Sequence, residues 1–191
     1  EGIEQVVMSE PLEEIGKQAF GNCIHLTNVT VPKTVNNISD GAFAGSYLLN
    51  AINVAAGNTT YKSDNGVVYN TAGTELVAYP AGKTGEYTTL STTKKIKNNA
   101  FLSASKITKL TLTSGVEEIE NDAFQYTSAL KELVFQSPSS FKKMGTWVFV
   151  NSGLEKLELP ASLETLGAAS FYGCNKLKTV TVADQSKLTN I

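Results

Sequence analysis

Apolar residues recur along this chain at a regular interval. The pattern Ile-Gly-x-x-Ala-Phe-x-x-Cys-x-x-Leu-x-x-Val-x-Val-Pro-x-x-Val-x-x-Ile begins at Ile15. It returns with small variations at Ile38, Ile96, Ile119, Met144 and Leu166, and begins again at Ile191. Repeats of 23–25 residues predict a solenoid of stacked coils, with six full repeats and partial ends in a single domain 1–191.

Each repeat contains two short apolar segments that should face the core. The first alternates, with apolar residues at positions i and i+2, which is typical of a half-buried strand. It occurs at Val29/Val31, Ile52/Val54, Leu110/Leu112, Leu133/Phe135, Leu157/Leu159 and Val180/Val182, and Val6/Met8 supplies it for a partial first repeat. Seven short parallel strands are therefore predicted. A second apolar pair should line the opposite inner wall, at Val35/Ile38, Val116/Ile119, Phe141/Met144, Leu163/Leu166 and Leu188/Ile191.

One phenylalanine per repeat predicts a buried aromatic column along the solenoid. Six of the eight phenylalanines stand in it, namely Phe20, Phe43, Phe101, Phe124, Phe149 and Phe171. We expect the Gly-x-x-Ala-Phe-x-x-Cys segment around each to form one helical or 3-10 turn on the outer side. The fold class predicted is an α/β solenoid that is mostly β.

The two cysteines occupy the same repeat position, and four small residues fill it between them. Cys23 belongs to the first repeat and Cys174 to the sixth. Five rungs of about 4.8 Å separate them by about 24 Å, whereas a disulfide needs Cα atoms within about 7 Å. Both are therefore predicted to be free structural thiols.

The second repeat is interrupted. Val54 and Ile96 are 42 residues apart, where the regular interval is seven. We predict a β-hairpin insertion over 55–95, with strands at 67–69 and 75–80 joined by a turn at 70–74. Four tyrosines lie in it, at Tyr61, Tyr69, Tyr79 and Tyr87. Their rings either cover the hairpin's small core and the gap between coils, or form an exposed cluster that grips sugar or protein.

These repeats resemble the BspA-like, or treponemal-type, leucine-rich repeats. The resemblance rests on the spacing Ile-Gly-x-x-Ala-Phe-x-x-Cys-x-x-Leu-x-x-Val-x-Val-Pro and covers residues 6–54 and 96–191. It implies a right-handed, curved leucine-rich-repeat coil on a bacterial cell surface or in secreted form, with roles in adhesion and host contact. The asparagine that usually follows the strand in leucine-rich repeats is missing, so no asparagine ladder is expected.

Composition and motifs argue against several other classes of protein. The net charge is −2 and all 16 basic residues are lysine, which does not favour a nucleic-acid partner. No apolar run is long enough for a membrane span. No nucleophile elbow, phosphate loop, zinc set or calcium loop is present, and the single histidine, His25, is expected to be exposed. We expect no enzyme activity, no cofactor and no metal.

The solvent face of the predicted strands is the remaining candidate site. Its threonine-rich and charged residues either solubilise the sheet or form a polar platform for a protein or glycan. The candidate binding residues on this face are Thr30, Asn53, Lys109, Thr111, Glu132, Val134, Lys156, Glu158 and Thr181.

The observations predict a non-catalytic binding module, and the resemblance implies that it belongs to a bacterial cell-surface or secreted protein with a role in binding or adhesion. It would recognise a host or bacterial surface protein, or a glycan, through the sheet face or the inserted hairpin. The alternatives are a carbohydrate-capturing accessory protein and a structural spacer within a larger surface protein. The chain is expected to be monomeric. It is also expected to be a segment of a longer or membrane-anchored protein, because its ends would expose unpaired strand edges without polar caps.

Overall fold

The protein is a mostly-β solenoid, and the computed structural model describes its residues 2–189. Those residues form sixteen strands and no helix. The strands are β1 (Glu14–Ile15), β2 (Asn28–Val31), β3 (Asn37–Ile38), β4 (Ala51–Val54), β5 (Tyr61–Asp64), β6 (Val67–Asn70), β7 (Glu75–Ala78), β8 (Gly85–Thr88), β9 (Lys95–Ile96), β10 (Ile107–Leu112), β11 (Glu118–Ile119), β12 (Glu132–Phe135), β13 (Lys143–Met144), β14 (Lys156–Leu159), β15 (Thr165–Leu166) and β16 (Thr179–Val182).

The strands of the main face stack in parallel, as the alternating pattern predicts. β2 pairs with β4, β10 pairs with both β8 and β12, and β14 pairs with β16. The register aligns equivalent repeat positions, such as Leu110 with Leu133 and Leu157 with Val180. Apolar side chains at alternate positions therefore meet inside, and the residues between them face outward. The last strand, β16, is the exception, because its Val180 and Val182 are each 39% exposed.

The predicted first strand is wrong, and a different segment brings the number on this face to seven. No strand forms at Val6–Met8, although both side chains pack partly buried against the first coil. The seventh strand is β8, within the segment predicted as an insertion. Val6 and Met8 thus point toward the core while Val7 is exposed, as in a strand, but their backbone forms no strand hydrogen bonds.

The opposite wall consists of two-residue strands, and its described apolar pairs face inward as predicted. β9, β11, β13 and β15 pair in parallel in one sheet, and β1 pairs with β3. Val116 and Met144 are almost fully buried on this wall, and Leu188 packs partly buried against the core. The predicted inward position of Ile191 lies outside the described residues.

A row of ion pairs follows the outside of this second wall. The Glu118 carboxylate lies 2.7 Å from the Lys143 ammonium and 3.1 Å from that of Lys95, on the neighbouring strands. The hydrogen bond from Lys143 is the main reason that the pKa of Glu118 is lowered, and Lys95 lowers it further. These pairs are half-exposed, so each contributes modestly to stability.

The predicted helical turns are wrong, because alternate N–H groups of the outer segments donate to the next coil. The bonds within a segment are isolated turn bonds, such as Leu102 N–H to Asn99 O, and do not continue as a helix. The Phe101 N–H donates to Ala123 O at 2.8 Å, and the Phe124 N–H donates to Val148 O at 2.9 Å. Residues two positions before and after the phenylalanine adopt positive φ in several repeats, as at Asp122 (58°) and Tyr126 (59°). Residues in this left-handed region interrupt a right-handed helix. We call this third side of the solenoid the turn row.

The phenylalanines line up inside the turn row as predicted, but in two stacks: Phe20 on Phe43, and Phe101 through Phe171. Phe124 stacks between Phe101 at 4.7 Å and Phe149 at 5.2 Å between ring centroids. At the two ends, Phe20 and Phe171 are only partly buried. The column is therefore fully buried only where a coil lies on both sides.

The interrupting segment is partly antiparallel and partly a continuation of the coils. β6 pairs antiparallel with both β5 and β7, whereas β7 pairs in parallel with β9 and β8 with β10. Tyr79 extends the aromatic column, with its ring 4.5 Å from that of Phe101, and its N–H donates to Ala100 O. The second half of the segment thus takes the place of a regular repeat, because it supplies the two paired strands β7 and β8 and the aromatic ring of the column.

The core is divided into two hydrophobic clusters at this segment. The smaller cluster runs from Ile15 to Ile52, and the larger one from Val67 to Cys174. Strand β6 contributes side chains to both clusters, because Val67 and Tyr69 belong to the larger cluster and Val68 belongs to the smaller one.

Both cysteines are free, as predicted, and their repeat position has a bonding role that the sequence pattern did not reveal. The Cys174 thiol lies 2.9 Å from Phe149 O, and the Ser46 hydroxyl donates to Phe20 O at 2.6 Å. A small side chain with a donor group at this position can therefore satisfy the carbonyl of the column phenylalanine in the preceding coil.

Candidate functional site

The inserted tyrosines do not form an exposed cluster. Tyr69, Tyr79 and Tyr87 are buried in the larger hydrophobic cluster, and Tyr61 is partly buried against the smaller one. The Tyr61 hydroxyl oxygen accepts a hydrogen bond from the Ile38 N–H at 3.0 Å. The prediction of binding through Tyr69, Tyr79 and Tyr87 is therefore wrong, since their rings fill the space between coils.

The buried tyrosine hydroxyls differ in whether they have a hydrogen-bond partner. The hydroxyls of Tyr69 and Tyr87 are 2.6 Å apart and share a hydrogen bond. The Tyr79 hydroxyl has no hydrogen-bond partner among residues 2–189. Burial raises the pKa of Tyr69, Tyr79 and Tyr87 above the usual tyrosine value, so all three hydroxyls remain neutral at physiological pH.

Tyr79→Phe is expected to leave the free energy of unfolding unchanged or to raise it by up to about 1 kcal/mol, because it removes a buried hydroxyl without a partner. Urea denaturation followed by circular dichroism measures this. The matched control is Tyr69→Phe, which leaves the Tyr87 hydroxyl unpaired and should cost about 1–3 kcal/mol. Equal losses in the two variants would contradict the assignment.

The candidate residues on the main face do lie on its outer surface, but in three separate groups. Thr30 pairs with Asn53 at one end, and both are exposed. In the middle, the Lys109 ammonium lies 3.1 Å from the Glu132 carboxylate, next to the half-buried pair Thr111 and Val134. At the other end Lys156, Glu158 and Thr181 are exposed.

The main face opens between the second and third groups, because β12 and β14 are not paired. In regular coils the residue after the strand donates to the last strand residue of the preceding coil, as Ala183 donates to Leu159 O at 3.0 Å. The equivalent residue after β14 is Pro160, which has no N–H, so the bond to Phe135 O cannot form. The loop between β12 and β13 is also longer, since Phe135 and Met144 are nine residues apart.

The opening is a groove of about 550 Å³. Its apolar lining includes Phe135, Leu159 and Pro160, and its polar lining includes serines 137, 139 and 162. Four predicted site residues meet here, namely Glu132, Val134, Lys156 and Glu158. We call this feature the sheet groove.

The sheet groove includes residues that sequence reasoning did not single out. Phe135 was assigned to the core, but it is only half-buried and its ring lies 4.7 Å from that of Phe141. Two signals in the sequence mark this place: the proline after β14 and the two extra residues after β12. The two extra residues interrupt the regular spacing of the repeat, whereas the proline stands at a repeat position that Pro32 also occupies.

The chemistry available at this face is recognition by shape, hydrogen bonding and charge. Within residues 2–189, no group of three or more His, Cys, Asp or Glu side chains could hold a metal ion. His25 is exposed on the first repeat, far in sequence from the sheet groove. Among the described residues 2–189, no helix is long and apolar enough to cross a membrane.

This stack of coils, with its parallel strands, aromatic column and exposed sheet face, defines a leucine-rich-repeat protein. The family model for the BspA-type leucine-rich repeat region matches six copies, over residues 2–71 and 91–191. The chain belongs to this family. The stretch that the family model leaves out contains β7 and β8, the strands with irregular spacing.

Solved bacterial structures share the fold. A leucine-rich repeat protein from Eubacterium ventriosum is 30% identical with a TM-score of 0.81, over 93% of this chain and 51% of its own. The pneumococcal vaccine antigen PcpA is 30% identical with a TM-score of 0.79, over 91% of this chain and 43% of its own. A leucine-rich cell surface protein from Faecalibacterium prausnitzii is 18% identical with a TM-score of 0.68, over 96% of this chain and 62% of its own, and shows the fold alone.

The chain spans about half the length of the first two of these proteins. No curated protein matches its sequence significantly.

Proposed function

We propose that this chain is a non-catalytic binding module of a bacterial cell-surface or secreted protein, and that it recognises a protein partner through its main sheet face. The family supports this proposal, and so does a relative described as a vaccine antigen. Solenoids present extended surfaces of this kind to their partners.

The observation that carries the proposal is the sheet groove. It interrupts the main face between β12 and β14 and combines half-buried apolar side chains with the exposed charges of Lys156 and Glu158, whose ammonium and carboxylate are 4.0 Å apart. Protein interfaces typically combine an apolar centre with a charged rim in this way. An extended protein segment could place an apolar side chain against Phe135 and its polar groups against the surrounding serines and charges.

Exchanging the two charges, with Lys156→Glu and Glu158→Lys in one variant, is expected to weaken partner binding about tenfold. The reason is that the exchange reverses the local charge pattern while it preserves the net charge. Both side chains are largely exposed, so the thermal midpoint should not change. Surface plasmon resonance against immobilised fibronectin, laminin and collagen measures the binding.

The matched control is the exchange Lys33→Glu with Glu10→Lys, an exposed ion pair on the first coils. It should leave binding to the matrix proteins unchanged. Equal affinity of the groove variant and the parent chain for a matrix protein would contradict the proposed site. If none of the three proteins binds the parent chain, the spacer hypothesis gains over the adhesion hypothesis.

A further inference from the structure

Two aromatic side chains lie exposed side by side on the turn row. Trp147 is 46% exposed and Tyr172, in the next coil, is 65% exposed. Their ring centroids are 5.9 Å apart and their planes are inclined by 55°, so the rings enclose an open angle. The Trp147 N–H donates to Ala168 O at 3.0 Å, and the Asn151 N–H donates to Tyr172 O at 3.0 Å. Backbone bonds between coils therefore fix the spacing of this aromatic pair.

Packing does not explain why tryptophan stands at this position. Trp147 has a φ of 58°, in the left-handed region that disfavours bulky side chains. The other five repeats place smaller or polar residues there, namely Gln18, Gly41, Asn99, Asp122 and Ala169. Neither Trp147 nor Tyr172 belongs to a hydrophobic cluster of the core. A bulky aromatic side chain kept in an unfavourable backbone conformation, without burial, indicates a role at the surface.

A third exposed aromatic residue continues the row. Tyr126 is 50% exposed, has a φ of 59°, and donates its N–H to Val150 O in the coil that carries Trp147. Three successive coils therefore each present one exposed aromatic side chain within two residues of the column phenylalanine, whereas the first three repeats present only Tyr47, four residues after theirs, among residues 2–189.

The chemistry around the aromatic pair favours a neutral sugar over a protein. The segments 144–154 and 166–175 contain no charged residue, which does not suit a sulfated or acidic glycan. The polar groups of these two segments are amides and hydroxyls, such as those of Thr146 and Asn151. The preceding coil carries Asp122 at the repeat position of Trp147, and its carboxylate would repel an acidic glycan. A stable protein interface needs about 800 Å² on each partner, with an apolar centre, and two isolated rings in a polar surround provide much less.

We propose that Trp147 and Tyr172 form a binding platform for neutral glycans built from pyranose rings with equatorial hydroxyls. The axial C–H bonds of such a ring point from its flat faces and carry partial positive charge. They match the electron-rich faces of the indole and phenol rings. The platform lies on the turn row and not on the main sheet face, so it is a second site that does not depend on the sheet groove.

The chain contains one tryptophan, and its fluorescence reports directly on this site. Titration with cellohexaose or chitohexaose is expected to produce a saturable change in tryptophan emission, whereas a sulfated heparin hexasaccharide should produce none. Absence of a saturable change with both neutral oligosaccharides would overturn the proposal, and so would equal binding of the heparin hexasaccharide.

Three variants test the residues by isothermal titration calorimetry with the same oligosaccharides. Trp147→Asn and Tyr172→Gln introduce residue types that other repeats carry at these positions. Each should weaken binding about tenfold without lowering the thermal midpoint. Tyr47→Ser is the matched control, because Tyr47 is similarly exposed but lies outside the pair, and it should bind as the parent chain does. Parental affinity in both pair variants would overturn the proposal.

The two proposed sites can be separated with the same proteins. The charge exchange at Lys156 and Glu158 should leave oligosaccharide binding intact, and Trp147→Asn should leave matrix-protein binding intact. If Trp147→Asn abolishes binding to a matrix protein while no oligosaccharide binds, the glycan assignment is wrong and the aromatic pair belongs to a protein interface.

Discussion

Replacing Phe124 by alanine is expected to lower the free energy of unfolding by about 3–5 kcal/mol, the range for a large buried aromatic side chain. Phe124 is fully buried, and its ring stacks on Phe101 and Phe149 in the adjacent coils. The substitution would leave a cavity that neither neighbour can fill, because each is held by its own coil. Urea denaturation monitored by circular dichroism measures the change.

The matched control is Phe171→Ala, at the end of the same column. Phe171 is only partly buried and stacks on a single neighbour, Phe149, at 6.0 Å. Its loss should be clearly smaller than that of Phe124→Ala. Similar losses in the two variants would show that coil-to-coil stacking does not determine stability along the column.

The second large effect is expected for Gly167→Ala. A Cβ atom at Gly167 would lie 2.3 Å from the carbonyl carbon and oxygen of Gly145, a contact with backbone that cannot rotate away. The two coils would have to separate, which strains the hydrogen bond from the Gly167 N–H to Met144 O. We expect a loss of about 3 kcal/mol in the free energy of unfolding, the upper part of the range for overpacking.

The repeat supplies its own control for this substitution. Gly16 occupies the same repeat position in the first coil, and a Cβ atom there would meet nothing within 4 Å. Gly16→Ala should therefore be neutral or slightly stabilising, since alanine restricts the unfolded chain more than glycine does. A comparable loss at both glycines would indicate that the effect is local and does not arise from the close approach of coils.

The regular coils could be predicted from the sequence because each structural role recurs at one position. Phe101 and Phe124, or Leu110 and Leu133, share a position in the pattern and meet in the structure. Because equivalent residues recur at a fixed interval, these columns of stacked side chains could be predicted without knowing the shape of a coil. The helical turns were mispredicted because the bonds that replace a helix, such as Phe124 N–H to Val148 O, join residues 24 positions apart.

The irregular coil was harder to predict, since its aromatic residue follows its inner-wall residue at an unusual spacing. Leu76 and Tyr79 are three residues apart, whereas Ile38 and Phe43 are five apart. Tyr79 therefore looked like part of a separate hairpin. Only the structure shows that its ring lies on Phe101 in the aromatic column.

The candidate sites lie where the sequence departs from the repeat pattern. A single sequence does not indicate which of these departures create a binding surface. Charges on the main face, including Lys156 and Glu158, could be predicted from strand alternation. The sheet groove could not, because it requires knowing that Pro160 fails to donate to the coil before it. Trp147 was visible as an aromatic residue at a position that is otherwise small or polar, but its partner Tyr172 lies elsewhere in the repeat.

The shared strand β6 has a consequence for how the molecule opens. In a stack of coils, stability comes from contacts between adjacent coils. Segments with separate cores can therefore unfold locally and exchange their amide hydrogens independently of each other. Here the first coils and the later coils meet at the interrupting segment, where the successive β6 side chains Val67 and Val68 enter different cores. Val77 and Ala78 of β7 also pack against the smaller core, and the Gly82 N–H donates to Leu49 O. The protein therefore resembles two cooperative units joined at a seam. Fraying that starts at the first coil would stop at β6, while both the sheet groove and the aromatic pair stay folded on the other side.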